Sequence, residues 1–162
     1  MKNTFVIFSF VVIAALLISG CILPPPMSDA VPKDLEITYS YGACHAEWGR
    51  TNIRIDATGN GIYESGRGML LPNNRMAEEK FYKTFRMNET ELLSLLNTIE
   101  KSGFYSLQDS YSDTLIMDGS CEYISVTKNN VTKSVSVSNT QPPDAYATAA
   151  DAINAVAEAK TK

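Results

Sequence analysis

Cys44-His45-Ala46-Glu47-Trp48 is the densest group of reactive side-chain types in the sequence, and it contains the single histidine. A thiolate beside an imidazole is the raw material of a nucleophile, and two cysteines, a histidine and a carboxylate can hold zinc. Both readings meet obstacles. Sequence neighbours on a strand point to opposite faces, which separates the Cys44 thiol from the His45 ring. A zinc site would have to gather Cys44, Cys121, His45 and Glu47 from a spacing unlike the paired signatures of zinc modules. The competing arrangements are a Cys44 to Cys121 disulfide and two free buried thiols, and the third cysteine bears on the choice.

That third cysteine is Cys21. It follows a cationic start, Met1-Lys2, a nearly unbroken apolar run from Phe5 to Ile18, and then Ser19-Gly20. A run this short with small residues at its end reads as a secretory signal and not a permanent membrane helix. Ile18-Ser19-Gly20-Cys21 resembles the lipobox of prokaryotic lipoproteins, where the cysteine is lipidated, as by palmitate, and becomes the new N-terminus. The resemblance implies a signal peptide over 1–20, Cys21 as the lipidated residue, and a cell-membrane location on the extracytoplasmic side. Export would put Cys44 and Cys121 in a disulfide-permissive compartment, and the sequence predicts that they are bonded. Closing so long a loop contributes about 4 kcal/mol in the chain-entropy model.

Other groups carry less. Asp109, Asp113 and Asp118 are the candidate calcium ligands, but their spacing does not match an EF-hand loop, and such Asp-Ser and Asp-Gly stretches commonly form turns. Asp56 to Gly61 lacks the lysine and helix start of a phosphate loop and reads as a hairpin turn. No Gly-x-Ser-x-Gly and no second histidine support a serine hydrolase. Asn130 and Asn88 fit the N-glycosylation pattern, with Asn88 also placed to cap a helix. No cofactor is implied. The formal charge of −4, which becomes −5 once Lys2 leaves with the signal, and the lack of a Lys/Arg cluster argue against nucleic acid and against an anionic lipid patch.

The elements that would position these residues follow from periodicity. Residues 21–34, with four prolines, form a tether that withholds backbone donors and could lift the domain some 35 Å at roughly 3 Å per residue. A single domain covers 35–160. Leu35 to Tyr41 alternates as a half-buried strand, and Ile53 with Ile55 leads through Gly59-Asn60-Gly61 into a hairpin partner. Gly66 to Ala77 has no dependable period and reads as an exposed loop; Lys80 to Arg86 is a fourth strand completing a meander. Asn88-Glu89-Thr90-Glu91 is a capping box, with Leu92, Leu93, Leu96 and Ile99 on the helix face behind it and Gly103 at its end. Residues 105–120 are polar and irregular. A second hairpin turns at Asn129-Asn130, and an alanine-rich helix over 144–160 presents Tyr146, Ala150, Ile153 and Val156 or Ala157. Four strands, helix, two strands, helix predict an α+β fold, an antiparallel sheet of about six strands with two helices packed on one face.

With these elements placed, Tyr39 to Ala157 resembles a family of exported bacterial and archaeal proteins of unknown function, often lipoproteins. The matching pieces are Tyr41-Gly42-Ala43-Cys44, Gly61 to Gly66, Leu92 to Ile99, and Gly103-Phe104-Tyr105-Ser106-Leu107 with Asp109 and Tyr111. The family's first motif reads Cys-Phe-Gly-x-Cys-Pro, but Ser40 stands at its first cysteine and His45 at its proline. A link within that motif is therefore impossible here, which favours Cys121 as the partner of Cys44. The resemblance implies fold and export and transfers no catalytic residue. The resulting expectation is a lipid-anchored binding or structural module contacting envelope protein or polymer, with the 66–76 loop and Trp48 as contact surface. The alternatives are a metal- or thiol-dependent enzyme centred on Cys44, His45 and Cys121, and an inhibitor of exported hydrolases using the long loop.

Overall fold

The computed structural model describes residues 28–44, 49–70, 76–115 and 119–162. Cys21, His45, Glu47, Trp48, Asp118, the signal peptide and the first half of the tether lie outside the described residues.

Seven strands form one sheet: β1 (Glu36–Ala43), β2 (Arg50–Asp56), β3 (Asn60–Leu70), β4 (Met76–Arg86), β5 (Ser110–Ser112), β6 (Ser120–Lys128) and β7 (Val131–Ser138). Their order across the sheet is β4-β3-β2-β1-β6-β7-β5. The first four are the expected meander, and β6 and β7 the expected hairpin. Asn129 and Asn130 both take positive φ at its tip, as a two-residue turn between twisted strands requires.

Two expectations need correction. The sheet has seven strands and not about six, and it is mixed: β5 runs parallel to β7. Ser110-Tyr111-Ser112 is too short to show alternation. It is held from outside, by Ser136 N–H donating to the Asp109 carbonyl and Asp113 N–H donating to the Ser138 carbonyl. The second correction concerns 66–77, where strand replaces the expected loop up to Leu70 and again from Met76. Register shifts between Ser65 and Gly66 and between Arg67 and Leu70 erase the two-residue period. Residues 71–75 lie outside the described residues.

The core follows from register. Ile37 lies opposite both Ile55 and Val126, and Tyr39 opposite both Ile53 and Ile124, so their side chains share one face. All six are buried there with Val135 and Val137. The apolar sides of α1 (Glu89–Lys101) and α2 (Asp144–Thr161) belong to the same core. On α1 the buried side chains are Leu92, Leu95, Leu96 and Ile99, while Leu93 is only half-buried; on α2, Tyr146, Ala149, Ala150, Ile153 and Ala157 are buried. Small alanines let α2 sit close to the sheet.

The capping box is present at both ends. Glu91 N–H donates to the Asn88 side-chain oxygen at 2.9 Å, and Asn88 N–H donates to a Glu91 carboxylate oxygen at 2.9 Å. Lys160 at the end of α2 reaches the other Glu91 oxygen at 2.7 Å, tying the helices together. Gly103 takes φ +88°, the left-handed conformation expected after the helix, and leads into a single 3-10 turn that buries Phe104. Asn88→Ala removes one half of the box and should cost about 1 kcal/mol, read as a lower urea midpoint at unchanged slope.

Candidate functional site

The richest polar assembly is one that sequence reading missed. It lies at the end of β1, β2 and β3 remote from the tether. Tyr39 and Tyr41 share the helix-covered face and stack with ring centroids 5.0 Å apart. The Tyr39 hydroxyl donates to Glu122 at 3.1 Å, and the Tyr41 hydroxyl to the Asn154 side chain at 3.5 Å. Tyr63 packs edge-on against Phe81, and Tyr146 is fully buried, its hydroxyl without a hydrogen-bond partner among the described residues.

Burial sets the protonation of this cluster. It pushes the Tyr39 and Tyr146 phenols well above the ordinary tyrosine range, and the Glu122 carboxylate adds to the effect at both. Tyr63 is pushed up to about 12, chiefly by burial and then by its hydrogen bond with Tyr41. These hydroxyls stay protonated at physiological pH and serve as hydrogen-bond donors within the fold. A phenolate absorbance titration should show the buried tyrosines silent near pH 10, Tyr63 ionising near 12, and Tyr39 and Tyr146 only on alkaline unfolding.

Beside the tyrosines the strands approach unusually closely. Gly42 lies opposite Arg50, which lies opposite Gly66. A Cβ on Gly42 would sit 2.5 Å from the Gly49 carbonyl oxygen, and its φ of +145° also excludes most side chains, so glycine is required there. The result is a pocket of about 230 Å³ whose lining includes Tyr41, these glycines, Arg50, Arg67 and Lys80, with no carboxylate among the described residues. Arg50 is half-buried, and both its Nε and one Nη donate to the Ser40 hydroxyl, at 3.2 and 3.0 Å. Burial lowers its pKa, and among the described residues no carboxylate answers it.

On the sheet face opposite the helices lies a second polar group. Glu64 is fully buried, with one carboxylate oxygen 3.3 Å from Arg54 and 3.4 Å from the Asn52 amide. Its other oxygen has no hydrogen-bond partner among the described residues.

The residues singled out from sequence are dispersed. Cys44 and Cys121 are joined by a disulfide, Cα to Cα 4.7 Å, between the end of β1 and the neighbouring strand β6. Both sulfurs are thus occupied, and thiol or thiolate-metal chemistry at this pair would first need reduction. Asp109 accepts from Lys133 at 2.6 Å, and Asp113 accepts from the Leu115 amide in a local turn; the two are not brought into a common cage. Asn130 is exposed at the hairpin tip, whereas Asn88 is engaged in the cap. The tyrosine cluster escaped because its members come from β1, β3 and α2, over a hundred residues of chain; Tyr39 and Tyr41 at alternate positions were the one local trace.

The segment that precedes β1 is fastened at the opposite end of the sheet. Ser28 donates through its N–H at 3.0 Å and its hydroxyl at 2.7 Å to Glu100, which also holds the Lys128 ammonium. Asp34 accepts from the Asn129 and Asn130 amides at 2.8 and 2.5 Å. The Asn130 amide, with help from Asn129, draws the Asp34 carboxyl below the usual range against the opposing effect of desolvation.

The family described as Domain of unknown function (DUF6438) matches residues 35–157, which covers β1 through most of α2. No curated protein matches the chain. No helix among the described residues is long and apolar enough to cross a membrane.

Proposed function

We propose that this chain, which belongs to the DUF6438 family of domains of unknown function, is a lipid-anchored binding module at the cell envelope, held by Cys21 and using the far end of its sheet for contact. The observation that carries the reading is a glycine-walled pocket at that end lined by Tyr41 and three cations, Arg50, Arg67 and Lys80. Such a set offers hydrogen bonds and positive charge to a partner, without the paired carboxylates or activated nucleophile that hydrolysis uses. The partner is an envelope protein or polymer.

Position supports the same reading. Ser28, the first described residue, is fastened, and the seven residues from Cys21 to Met27 can span at most about 25 Å. That is shorter than the 35 Å expected for a wholly free tether. Glu36 begins β1 near the fastened segment, and Gly42 lies six residues along the strand, about 20 Å away. The pocket would then face away from the bilayer.

Two measurements test the proposal. Intact mass of the membrane-extracted protein should show lipid on Cys21, and Cys21→Ser should move the chain out of the membrane fraction; retention of Cys21→Ser in that fraction removes the anchor. A photo-cross-linker at Glu78, exposed on β4 opposite Arg67, should capture envelope material in cells, whereas one at Lys101 on α1 should not. Equal capture at the two positions removes the contact surface.

A further inference from the structure

We propose that the pocket at the far end of β1, β2 and β3 binds a phosphate group borne by an envelope polymer. This rests on the binding-module reading above and names the ligand chemistry of its contact surface.

The electrostatic case starts from the whole chain, which is acidic at net −4. Against that background Arg50, Arg67 and Lys80 line one small pocket, and among the described residues no acid lines it with them, the nearest on β4, Glu78 and Glu79, standing opposite Arg67 and Gly66 outside the lining. Like charges gathered in this way repel one another, and a bound anion removes the repulsion. Arg50 adds a specific demand. It is half-buried, and its guanidinium is met by a serine hydroxyl alone among the described residues. A charge withdrawn from water in this way gains most from an ionised oxygen, and a guanidinium fork matches the spacing of phosphate oxygens.

The wall supplies the second requirement, close approach. At Gly42 the Gly49 carbonyl and the Arg50 Cα already fill the place of a side chain, but at Gly49 an added Cβ would meet only the Gly66 carbonyl oxygen at 3.6 Å, so the wall there is bare backbone that a ligand can approach. Thr51 and Ser65 also line the pocket, and their hydroxyls donate to phosphate oxygens without adding charge. A volume of about 230 Å³ accommodates one phosphate with part of its ester and some water, not a folded ligand.

A phosphate can come from a lipid headgroup or from a polymer. The fastening of Ser28 and Asp34 lies at the other end of β1, so the tether delivers that end to the bilayer. The polymer is therefore the source to which the geometry commits.

The test uses the full lipidated chain in nonionic detergent, titrated with inorganic phosphate and with linear polyphosphate while backbone amide shifts are followed. The largest shifts should fall at Gly42, Gly49 and Gly66. Arg67→Gln with Lys80→Gln, both at exposed positions, should weaken polyphosphate binding by roughly tenfold or more, and added salt should weaken wild type more steeply than the variant. Unchanged affinity in the double variant, or shifts scattered away from the three glycines, overturns the pocket. The chain in phosphatidylglycerol vesicles, set against phosphatidylcholine vesicles, should show no shift at those glycines; a shift there assigns the site to headgroups and overturns the polymer source. The failures separate in cells. Envelope cross-linking that survives the double variant sinks the phosphate site and keeps the binding module, whereas absence of cross-linking in wild type sinks both.

Discussion

Replacing Cys44 and Cys121 together by serine should destabilise the domain by about 4 kcal/mol and lower its melting temperature by roughly 12–20 °C. The magnitude follows from chain statistics. The bond joins residues separated by 77 positions, a segment that includes β2, β3, β4, α1 and β5. Without it, the unfolded chain regains the freedom of a loop of that length. In the folded chain the bond closes the end of the β1–β6 ladder, where Gly42 lies opposite Cys121 and Cys44 N–H donates to the Gly119 carbonyl. The double variant is the right probe because a single replacement leaves a free thiol able to form dimers. Guanidinium unfolding of wild type with and without reductant, beside the variant, checks this. Reductant should bring wild type to the variant's midpoint and leave the variant unmoved. A difference below about 1 kcal/mol would mean that the ladder alone holds this corner and that the loop is already constrained in the unfolded chain.

The same corner shows why some of the fold was legible in the sequence and some was not. Strands β1, β2, β6 and β7 announce themselves because each keeps strict alternation against a single core; Ile37, Ile55 and Val126 share a face because their register and their two-residue period agree. The capping box at Asn88 and Glu91 is a four-residue event whose chemistry is entirely local, and it formed as written. What local pattern cannot carry is pairing decided elsewhere. Ser110-Tyr111-Ser112 becomes a strand only because β7 presents a free edge beside it. Residues Gly66 to Leu70 extend β3 although bulges scramble their alternation. The site is illegible for a related reason. Arg50, Arg67 and Lys80 are unremarkable singly, and only the register that sets Gly42 opposite Arg50 and Arg50 opposite Gly66 makes a pocket of them.

Glu100→Ala should cost about 3 kcal/mol, the second-largest loss expected from a small change in this chain. Glu100 is the last core-facing residue of α1, its side chain 3 % exposed, and it accepts from the Ser28 amide and hydroxyl and from the Lys128 ammonium. Lys128 is itself only 19 % exposed and lies 4.5 Å from the Tyr105 ring centroid, so removing its partner strands a cation in a place poorly reached by water. The Tyr105 ring recovers part of that loss, which keeps the figure at the lower end for a broken buried pair. Burial by itself would raise the Glu100 pKa, but Lys128 and then Ser28 outweigh it, and the net shift is downward from 4.5. A carboxylate with a lowered folded pKa contributes stability that is fully present above the unfolded value and is lost as pH falls through the folded one. Glu100→Gln preserves the shape and an acceptor for Ser28 but cannot ionise. Its deficit against wild type should therefore hold steady from pH 7 down to about 5 and close progressively below 4.5. Urea midpoints across that range measure it, and a deficit that stays constant to pH 3 would show that the carboxylate's charge contributes nothing. The two variants should also differ at the tether: Glu100→Ala frees Ser28 and should expose 28–33 to protease in the otherwise folded protein, while Glu100→Gln should protect it. On the proposed anchoring at Cys21, fastening at Ser28 sets which end of the sheet meets the bilayer, so on that proposal the variant that frees it should also let a cross-linker on α1 reach partners proposed to meet only the far end.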